Sequence, residues 1–340
     1  MKRARPWIFS LFASAGLPAG PALADEPWPW LETGGLLFGD AYHIPSHHLE
    51  EGDGATGLVL RRGYLTFNAD WTEDWFGRLR FELNQDGEFE SYGFELDFKD
   101  LYVGRRFGDH VGTLGLHPTL TFDVVEKQWG KRHLMRTPMD LQGESSRDQG
   151  VSVKGPLTAS GTLKYRLMYG FGEDFGAESG DSSRIMAALQ WQIDEHWMAD
   201  FYTDYEDNEG LTNGTTYQVF LAYDTDDWRW GVLYSNQDRE EDPPLELASS
   251  WYVRTLRERT DLVLRVDRII EPSPRADNID YIPFDPSAPA TMLYAGVEFG
   301  LNDHVSLTPN VVVTRYDLND EGVRPETDVY LRLTAFVNFE

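Results

Sequence analysis

Residues 329–339, Val-Tyr-Leu-Arg-Leu-Thr-Ala-Phe-Val-Asn-Phe, alternate between two kinds of side chain at almost every step. In an extended chain the odd-numbered positions, all apolar, face one way, whereas Tyr330, Arg332, Thr334 and Asn338 face the other. This period of two predicts a β-strand with one apolar and one polar face. About ten tilted residues of this kind cross the apolar band, about 25 Å tall, of a membrane β-barrel.

The same alternation recurs upstream. Ile185, Ala187 and Leu189 lie on one face of a segment whose other face carries Gln190 and Gln192. We therefore predict an all-β chain that forms a transmembrane antiparallel β-barrel of about sixteen strands. The predicted strands span residues 35–44, 57–71, 75–86, 91–107, 110–123, 149–158, 161–172, 183–194, 197–207, 214–225, 228–238, 247–257, 260–271, 292–302, 305–317 and 327–339. An even number of strands would bring both chain ends to the same rim.

Short turns between these strands share a pattern, in which an acidic residue precedes an aromatic or β-branched one. The turns of this kind are Glu73-Asp74-Trp75, Asp109-His110-Val111, Glu195-His196-Trp197, Asp227-Trp228 and Asp303-His304-Val305. Successive turns mostly lie two strands and one longer loop apart, so the repeated unit is a hairpin. The intervals are stretched around residues 128–149 and 272–291, where we expect inserted loops.

The composition excludes several classes of protein. No stretch beyond residue 24 approaches the roughly eighteen apolar residues of a membrane helix. The chain has no cysteine, so disulfides, thiolate metal sites and thiol nucleophiles are unavailable. An exported chain without disulfides must be held together in another way, and a closed hydrogen-bonded sheet does this.

The N-terminus predicts export. Lys2, Arg3 and Arg5 precede a short apolar run, and Ala22-Leu23-Ala24 offers small residues at a cleavage site. We predict a signal peptide over residues 1–24 and a single barrel domain over residues 25–340. Removal of the three basic residues leaves 27 basic against 57 acidic residues, a net charge of −30. Such a charge argues against a nucleic-acid surface.

Residues 99–172 resemble a known family. Lys99-Asp100-Leu101-Tyr102-Val103 leads into Gly115-Leu116-His117-Pro118, and Glu126, Arg132 and Met139-Asp140-Leu141 follow. Arg147-Asp148-Gln149-Gly150-Val151 and residues 165–170 close the stretch. This pattern resembles the phosphate-selective porin O/P family of Gram-negative outer membranes, and the likeness extends more loosely over the whole mature chain.

The resemblance implies a sixteen-stranded, usually trimeric barrel whose third loop folds into the lumen and narrows it. Residues 128–149 match that constriction loop in position and length. Two features depart from the family. Glu340 follows Phe339, whereas barrels usually end on an aromatic residue. The family's anion preference depends on basic residues along the lumen, whereas this chain carries a net charge of −30.

The phase of each strand predicts which charges face inward. The pore-lining candidates are Arg62, Arg78, Arg80, Lys99, Lys154, Lys164 and Arg166. The constriction loop offers Arg136, Asp140, Glu144, Arg147 and Asp148. A basic wall facing a loop rich in acidic residues would set up a transverse field at the narrowest point, where charged side chains select ions. The alternative is that inward Arg and Glu residues only pair with each other and fill the barrel.

The remaining polar clusters predict no chemistry. The acidic outer loops, of which Asp204-Tyr205-Glu206-Asp207-Asn208-Glu209 is the densest, are usually solvated but could bind Ca²⁺ or Mg²⁺ bridging to lipopolysaccharide. His47-His48 reads as an incidental exposed pair rather than a metal site. No Gly-x-Ser-x-Gly elbow, phosphate-binding Gly loop or His-Glu-x-x-His motif is present.

We therefore expect a passive diffusion channel of the outer membrane for small ions and polar solutes, with neither enzymatic activity nor a cofactor. The family resemblance implies a preference for anions or phosphate. Its expected partners are membrane lipid, lipopolysaccharide and two further copies of the chain. One alternative is a secreted β-sandwich that binds carbohydrate or acts as a hydrolase. A second is a barrel enzyme of the outer-membrane lipase kind, which would need outward-facing Ser and His residues at membrane level.

Overall fold

The computed structural model describes residues 30–85, 93–171, 182–208, 213–240, 242–276, 279 and 281–339. These residues form sixteen β-strands and two short helices. The strands are β1 Leu31–Ser46, β2 Thr56–Asp70, β3 Trp75–Gln85, β4 Phe94–Phe107, β5 His110–Pro118, β6 Arg147–Pro156, β7 Leu163–Gly170, β8 Ser182–Gln192, β9 Trp197–Asn208, β10 Gly214–Asp224, β11 Trp228–Arg239, β12 Asp242–Arg257, β13 Thr260–Ile269, β14 Ala290–Gly300, β15 Val305–Tyr316 and β16 Asp328–Phe339. The predicted signal peptide lies outside the described residues.

The strands form one closed barrel in which every strand pairs antiparallel with its neighbours in sequence. The first and last strands close the ring, with Leu37 opposite Val337 and Ala41 opposite Leu333. The predicted sixteen-stranded barrel is confirmed. The β-sandwich alternative is wrong, because a sandwich consists of two separate sheets.

Two predicted boundaries are wrong by about five residues. We predicted that β5 would extend to residue 123, but it ends at Pro118 because a helix begins at Asp123. Strand β12 begins at Asp242 instead of residue 247, since Leu245 and Leu247 both face inward and continue its alternation.

The barrel has two unlike rims. The connections that follow the even-numbered strands from β2 to β14 are two to six residues long. They lie at one rim, together with both ends of the described chain; we call it the turn rim. The connections that follow the odd-numbered strands lie at the opposite, loop rim, and their lengths range from two to twenty-eight residues. Among them the third, residues 119–146, and the seventh, residues 270–289, are the longest.

The outer face of the wall is apolar and the inner face is not. Leu331 and Leu333 on β16 are 46% and 44% exposed, whereas Arg332 and Thr334, which alternate with them, are buried inside the barrel. Exposed apolar rows of this kind recur on the outside of most strands, which suits contact with lipid and not with water. No helix within the described ranges is long and apolar enough to cross a membrane.

Candidate functional site: the barrel lumen

The third loop, residues 119–146, folds into the lumen, and we call it the constriction loop. It carries helix α1 Asp123–Trp129 and helix α2 Pro138–Leu141. Gly130 ends α1 in the left-handed conformation, with φ 61°, a geometry that favours glycine. The loop starts nine residues earlier than predicted and ends before Arg147 and Asp148, which belong to β6.

Side chains of the barrel wall donate hydrogen bonds to backbone carbonyls of the constriction loop. Arg61 donates to the His133 carbonyl at 2.5 Å, and Arg332 donates to the Leu134 carbonyl at 3.1 Å. Arg265 donates to the Arg136 carbonyl, and Gln218 donates to the Thr121 carbonyl at 3.0 Å. Loop carbonyls inside a barrel would otherwise lose their hydrogen bonds to water, so these contacts fix the path of the loop.

Apolar packing fixes the other side of the constriction loop. Trp129 is fully buried; its indole NH donates to the Met135 carbonyl at 2.7 Å, and its ring packs edge-on against Trp251 at 5.6 Å. Leu134, Met135, Met139 and Leu141 are buried with it. They pack against inward side chains of β10–β15, namely Phe220, Leu233, Trp251, Val263, Met292 and Val312. We had expected a polar interior, so this apolar half of the inner wall is a finding of the structure.

Four of the predicted pore-lining cations lie together on the opposite wall: Arg62, Arg78, Arg80 and Lys99. They surround two buried carboxylates that we did not identify from the sequence. Glu82 pairs with Arg62, and with Lys99 at 3.1 Å. Asp100 pairs with Arg80 at 3.5 Å and Arg78 at 3.8 Å. We call these four cations the basic stripe. The two carboxylates offset half of its positive charge, through ion pairs of the kind that the alternative interpretation predicts.

Two β-bulges put neighbouring charges on the same inner face. The register shifts between β1 and β2 next to Arg61, and between β3 and β4 next to Lys99. A bulge inserts one residue into the alternation, so Arg61 and Arg62 both face inward, as do Lys99 and Asp100. The sequence signal for both bulges is a pair of adjacent charged residues within an otherwise alternating strand.

The predicted charges of the constriction loop fall into separate clusters. Asp140 pairs with Arg132 at 2.7 Å, and Arg132 also pairs with Glu126. Arg147, on β6, reaches Asp100 at 2.6 Å and thus joins the basic stripe. The guanidinium of Arg136 lies over the ring of Tyr281, at 5.9 Å. Asp148 is buried at the start of β6, against Gly170.

Glu144 ties three parts of the barrel together. Its carboxylate pairs with Arg184 of β8 at 2.5 Å and with Arg275 of the seventh loop at 3.2 Å, and Gln237 of β11 donates to it at 2.7 Å. Burial alone would raise the pKa of this carboxyl, but Arg184 and Arg275 lower it to about 2. Glu144 is therefore charged at neutral pH and holds the end of the constriction loop in place.

A cavity of about 580 Å³ opens between α1 and the wall at the turn rim, and we call it the vestibule. The predicted pore-lining residues Lys154, Lys164 and Arg166 line it, together with Lys127 of α1. The charge of Arg166 is offset, because this residue pairs with Asp123, and with Asp200 at 2.5 Å. Among the described residues no carboxylate pairs with Lys127, Lys154 or Lys164, so their charges face the water of the vestibule.

One group of described residues has metal-ligand chemistry, His47, His48 and Asp328, with candidate ligand atoms within 4.8 Å of one another. Our interpretation of the two histidines as an incidental exposed pair is wrong, because His47 is buried. The Leu49 amide donates to Nδ1 of His47 at 2.9 Å, so in a neutral ring Nε2 carries the proton, towards the Tyr330 hydroxyl at 2.8 Å. Burial lowers the pKa of His47 and favours this neutral ring. The cluster is therefore a hydrogen-bonded contact between the two histidines after β1 and the start of β16.

The predicted acidic cation site at residues 204–209 is not a loop. Strand β9 runs through it to Asn208, and Asp204 faces inward and pairs with Arg184. Glu209 lies outside the described residues.

Several solved structures share this fold at low sequence identity. The anion-selective porin from Comamonas acidovorans is 14% identical, with a TM-score of 0.64 over 91% of this chain and 99% of that one. The outer membrane channel DcaP of Acinetobacter baumannii is 12% identical, with a TM-score of 0.64 over 91% and 97%. OmpT of Vibrio cholerae is 11% identical, with a TM-score of 0.62 over 91% and 97%. No protein-family model and no curated protein matches the chain.

Proposed function

We propose that the protein is an outer-membrane diffusion channel for small ions and polar solutes, exported by a signal peptide of residues 1–24. The observation that carries this proposal is a closed barrel with an apolar outer face whose charged lumen is narrowed by an inward-folded loop. Such a barrel has no free sheet edge and can therefore cross hydrocarbon. No chemical step and no cofactor belong to the proposal.

The permeation path in this proposal follows the charged side of the lumen. The constriction loop is packed against the apolar half of the wall, whereas the vestibule opens against β5–β9. Above the vestibule lie Arg78, Arg80 and Arg147, which remain partly exposed although they share the Asp100 carboxylate. A row of guanidinium groups along a narrow passage favours anions over cations.

A mild preference for anions is the selectivity that these residues support. The vestibule adds Lys127, Lys154 and Lys164, but Asp109, Glu195 and Asp224 line the same cavity. The preference therefore rests on the arginines of the stripe, whose charge Glu82 and Asp100 offset only in part. The similarity to an anion-selective porin agrees with this preference, and oxyanions such as phosphate suit the planar fork of arginine. We further propose a homotrimer in a lipopolysaccharide-containing membrane, as the resemblance to the porin O/P family implies.

Planar-bilayer recording tests the proposal. We expect discrete conductance steps and, in asymmetric KCl, a reversal potential of anionic sign. Asp100→Asn removes the carboxylate shared by three arginines, so its reversal potential should move further in the anionic direction at a cost of about 1–3 kcal/mol in stability. A cation preference in the wild type would overturn the anionic part.

A variant with a short Gly-Ser linker in place of residues 124–141 provides the positive control, because it removes both helices of the constriction loop from the lumen. A folded barrel of this variant that carries no current would overturn the channel itself.

A further inference from the structure

The seventh loop, residues 270–289, also folds into the barrel. Ala276, Ile279, Ile282, Phe284 and Ala288 are buried, and they belong to the same apolar cluster as Met135 and Leu141 of the constriction loop. In a loop that lay only at the rim, these apolar side chains would be exposed to water, which is unfavourable. The seventh loop is thus packed on top of the constriction loop, on the side of the loop rim.

Tyr281 anchors the seventh loop to the far wall. Its single hydroxyl proton is shared, as a bifurcated hydrogen bond, between the carbonyl of Arg61 on β2, at 3.1 Å, and the carbonyl of Gln85 on β3. Strands β15, β16 and β1 separate these strands from β14, where the loop ends, so the loop reaches across the mouth. Tyr281 has a φ of 67°, a conformation that is costly for a bulky residue and persists only where surrounding contacts enforce it.

The seventh loop is also tied to the constriction loop by charge. Arg275 pairs with Glu144 at 3.2 Å, and the Arg136 guanidinium lies over the Tyr281 ring. Both contacts come from parts of the chain more than a hundred residues apart, so they depend on the docked position of the loop.

The space left between the two loops and the wall is very small. It measures about 20 Å³, which is room for about one water molecule. Tyr281, Ile282 and Phe38 close it, and five arginines line it: Arg61, Arg62, Arg132, Arg136 and Arg332. The vestibule on the other side of the constriction loop is about 580 Å³. Of these two spaces, the one beneath Tyr281 is therefore by far the smaller.

We infer that the seventh loop is a second restriction, in series with the constriction loop, and that Tyr281 is the residue that sets its width. This inference rests on the proposed channel function. The docked loop excludes hydrated ions and larger solutes from the space beneath Tyr281, because that space has room for about one water molecule. Undocking the loop would join this arginine-lined space to the mouth and widen the path for anions.

Two substitutions at Tyr281 test the inference in planar bilayers. Tyr281→Ala removes the ring and both hydrogen bonds, and we expect the single-channel conductance to rise by about twofold or more. Tyr281→Phe keeps the ring and loses only the hydroxyl, so its conductance should lie in between. Tyr234→Ala and Tyr234→Phe are the matched controls, because Tyr234 is exposed on the outer face and its hydroxyl bonds to Glu246 at 2.6 Å; they should conduct like the wild type.

A disulfide rescue separates loop position from a general loss of stability. A Cβ placed on Gly143 would lie 3.8 Å from the Cβ of Arg275, which is the mean separation in a disulfide. Because the chain has no cysteine, Gly143→Cys with Arg275→Cys can form only this bond within one copy. Added to Tyr281→Ala, the oxidised pair should restore the low conductance, and a reductant should release it. Each single cysteine variant should leave Tyr281→Ala open.

The outcomes separate the inference from the proposed function. If the linker variant of the constriction loop conducts and Tyr281→Ala behaves like the wild type, the second restriction does not exist and the channel stands. If Tyr281→Ala raises the conductance but the oxidised cysteine pair does not lower it again, the effect of Tyr281 does not come from the position of the seventh loop. The inference then fails. If the linker variant carries no current, the channel itself is overturned.

Discussion

The inner wall of the barrel has two unlike halves. From β10 to β15 it presents many large apolar side chains. Among the charged exceptions, Arg265 pairs with Asp267 at 2.5 Å, and Glu298 pairs with Lys131 and His133 of the constriction loop. From β2 to β9 it presents ion pairs, such as Arg62 with Glu82 and Arg166 with Asp200. The constriction loop is packed against the first half, and the vestibule opens against the second.

This difference assigns the two halves different tasks. Apolar contact is non-directional and excludes water, so it can hold a loop in the lumen. Buried ion pairs add little net stability, because desolvation offsets their attraction, but they keep a polar surface along the remaining space. One half of the wall therefore holds the loop in place, and the other half lines the path.

Trp129→Ala removes the largest anchor on the apolar half. Truncation of a buried tryptophan costs about 3–5 kcal/mol, and here the loss falls on the docking of the constriction loop, since the barrel pairing does not depend on Trp129. We expect larger and noisier conductance steps with little change in the heat resistance of the barrel. Leu134→Met, which nearly conserves volume, should conduct like the wild type. A barrel that melts early while its conductance stays normal would show that the apolar half supports the wall and not the loop.

The local pattern of the sequence was enough to predict the barrel. Alternation with a period of two and short acidic turns are properties of neighbouring residues, so sixteen strands could be counted without any knowledge of their pairing. The inward phase of Arg62, Arg78 and Arg80 followed from the same period. The pattern failed at residues 119–123, where the chain leaves β5 for α1 because the loop must turn into the lumen.

The site was less predictable, because its contacts join distant segments. Nothing near Glu144 in sequence indicates Arg184 or Arg275 as partners, since these contacts exist only once both loops have folded inward. Inward Glu82 was overlooked although it has the same phase as Arg78 and Arg80. Asp100 was overlooked because a bulge places it on the same face as the predicted inward Lys99. Both change the net charge of the stripe. Adjacent charges within an alternating strand, as at Lys99 and Asp100, are the signal that would have located the bulges.

Lowering the pH tests whether the charged half of the wall holds the constriction loop, because Glu144 loses its charge in acid. Its pKa of about 2 lies below the ordinary value of 4.5, so its stabilising contribution is complete above pH 4.5 and disappears as the pH falls towards 2. The full contribution is about 3 kcal/mol. We expect the conductance to rise as the pH falls below about 4.5, because the constriction loop loosens when Glu144 loses its charge.

Glu144→Gln is the matched variant for this titration. The amide cannot carry the charge that Arg184 and Arg275 require, so the loop should be looser at neutral pH and the rise in acid should vanish. A rise of the same size in Glu144→Gln would place the acid-sensitive contact elsewhere and leave the charged half without a role in holding the loop.

The smallest effect on stability and the clearest effect on selectivity should come from the vestibule. Lys154→Glu with Lys164→Glu changes two exposed side chains, so stability should stay within about 0.5 kcal/mol of the wild type. The reversal potential should nevertheless move towards cations, because both charges face the path. The shift should shrink between 0.1 M and 1 M salt as the screening length falls from about 10 Å to about 3 Å. Arg324→Glu, exposed in the loop after β15, lies away from the vestibule and makes half of this change of net charge, −2 against −4. It should leave selectivity unchanged. An equal shift from Arg324→Glu would mean that net charge, and not the charged half of the wall, selects the ion.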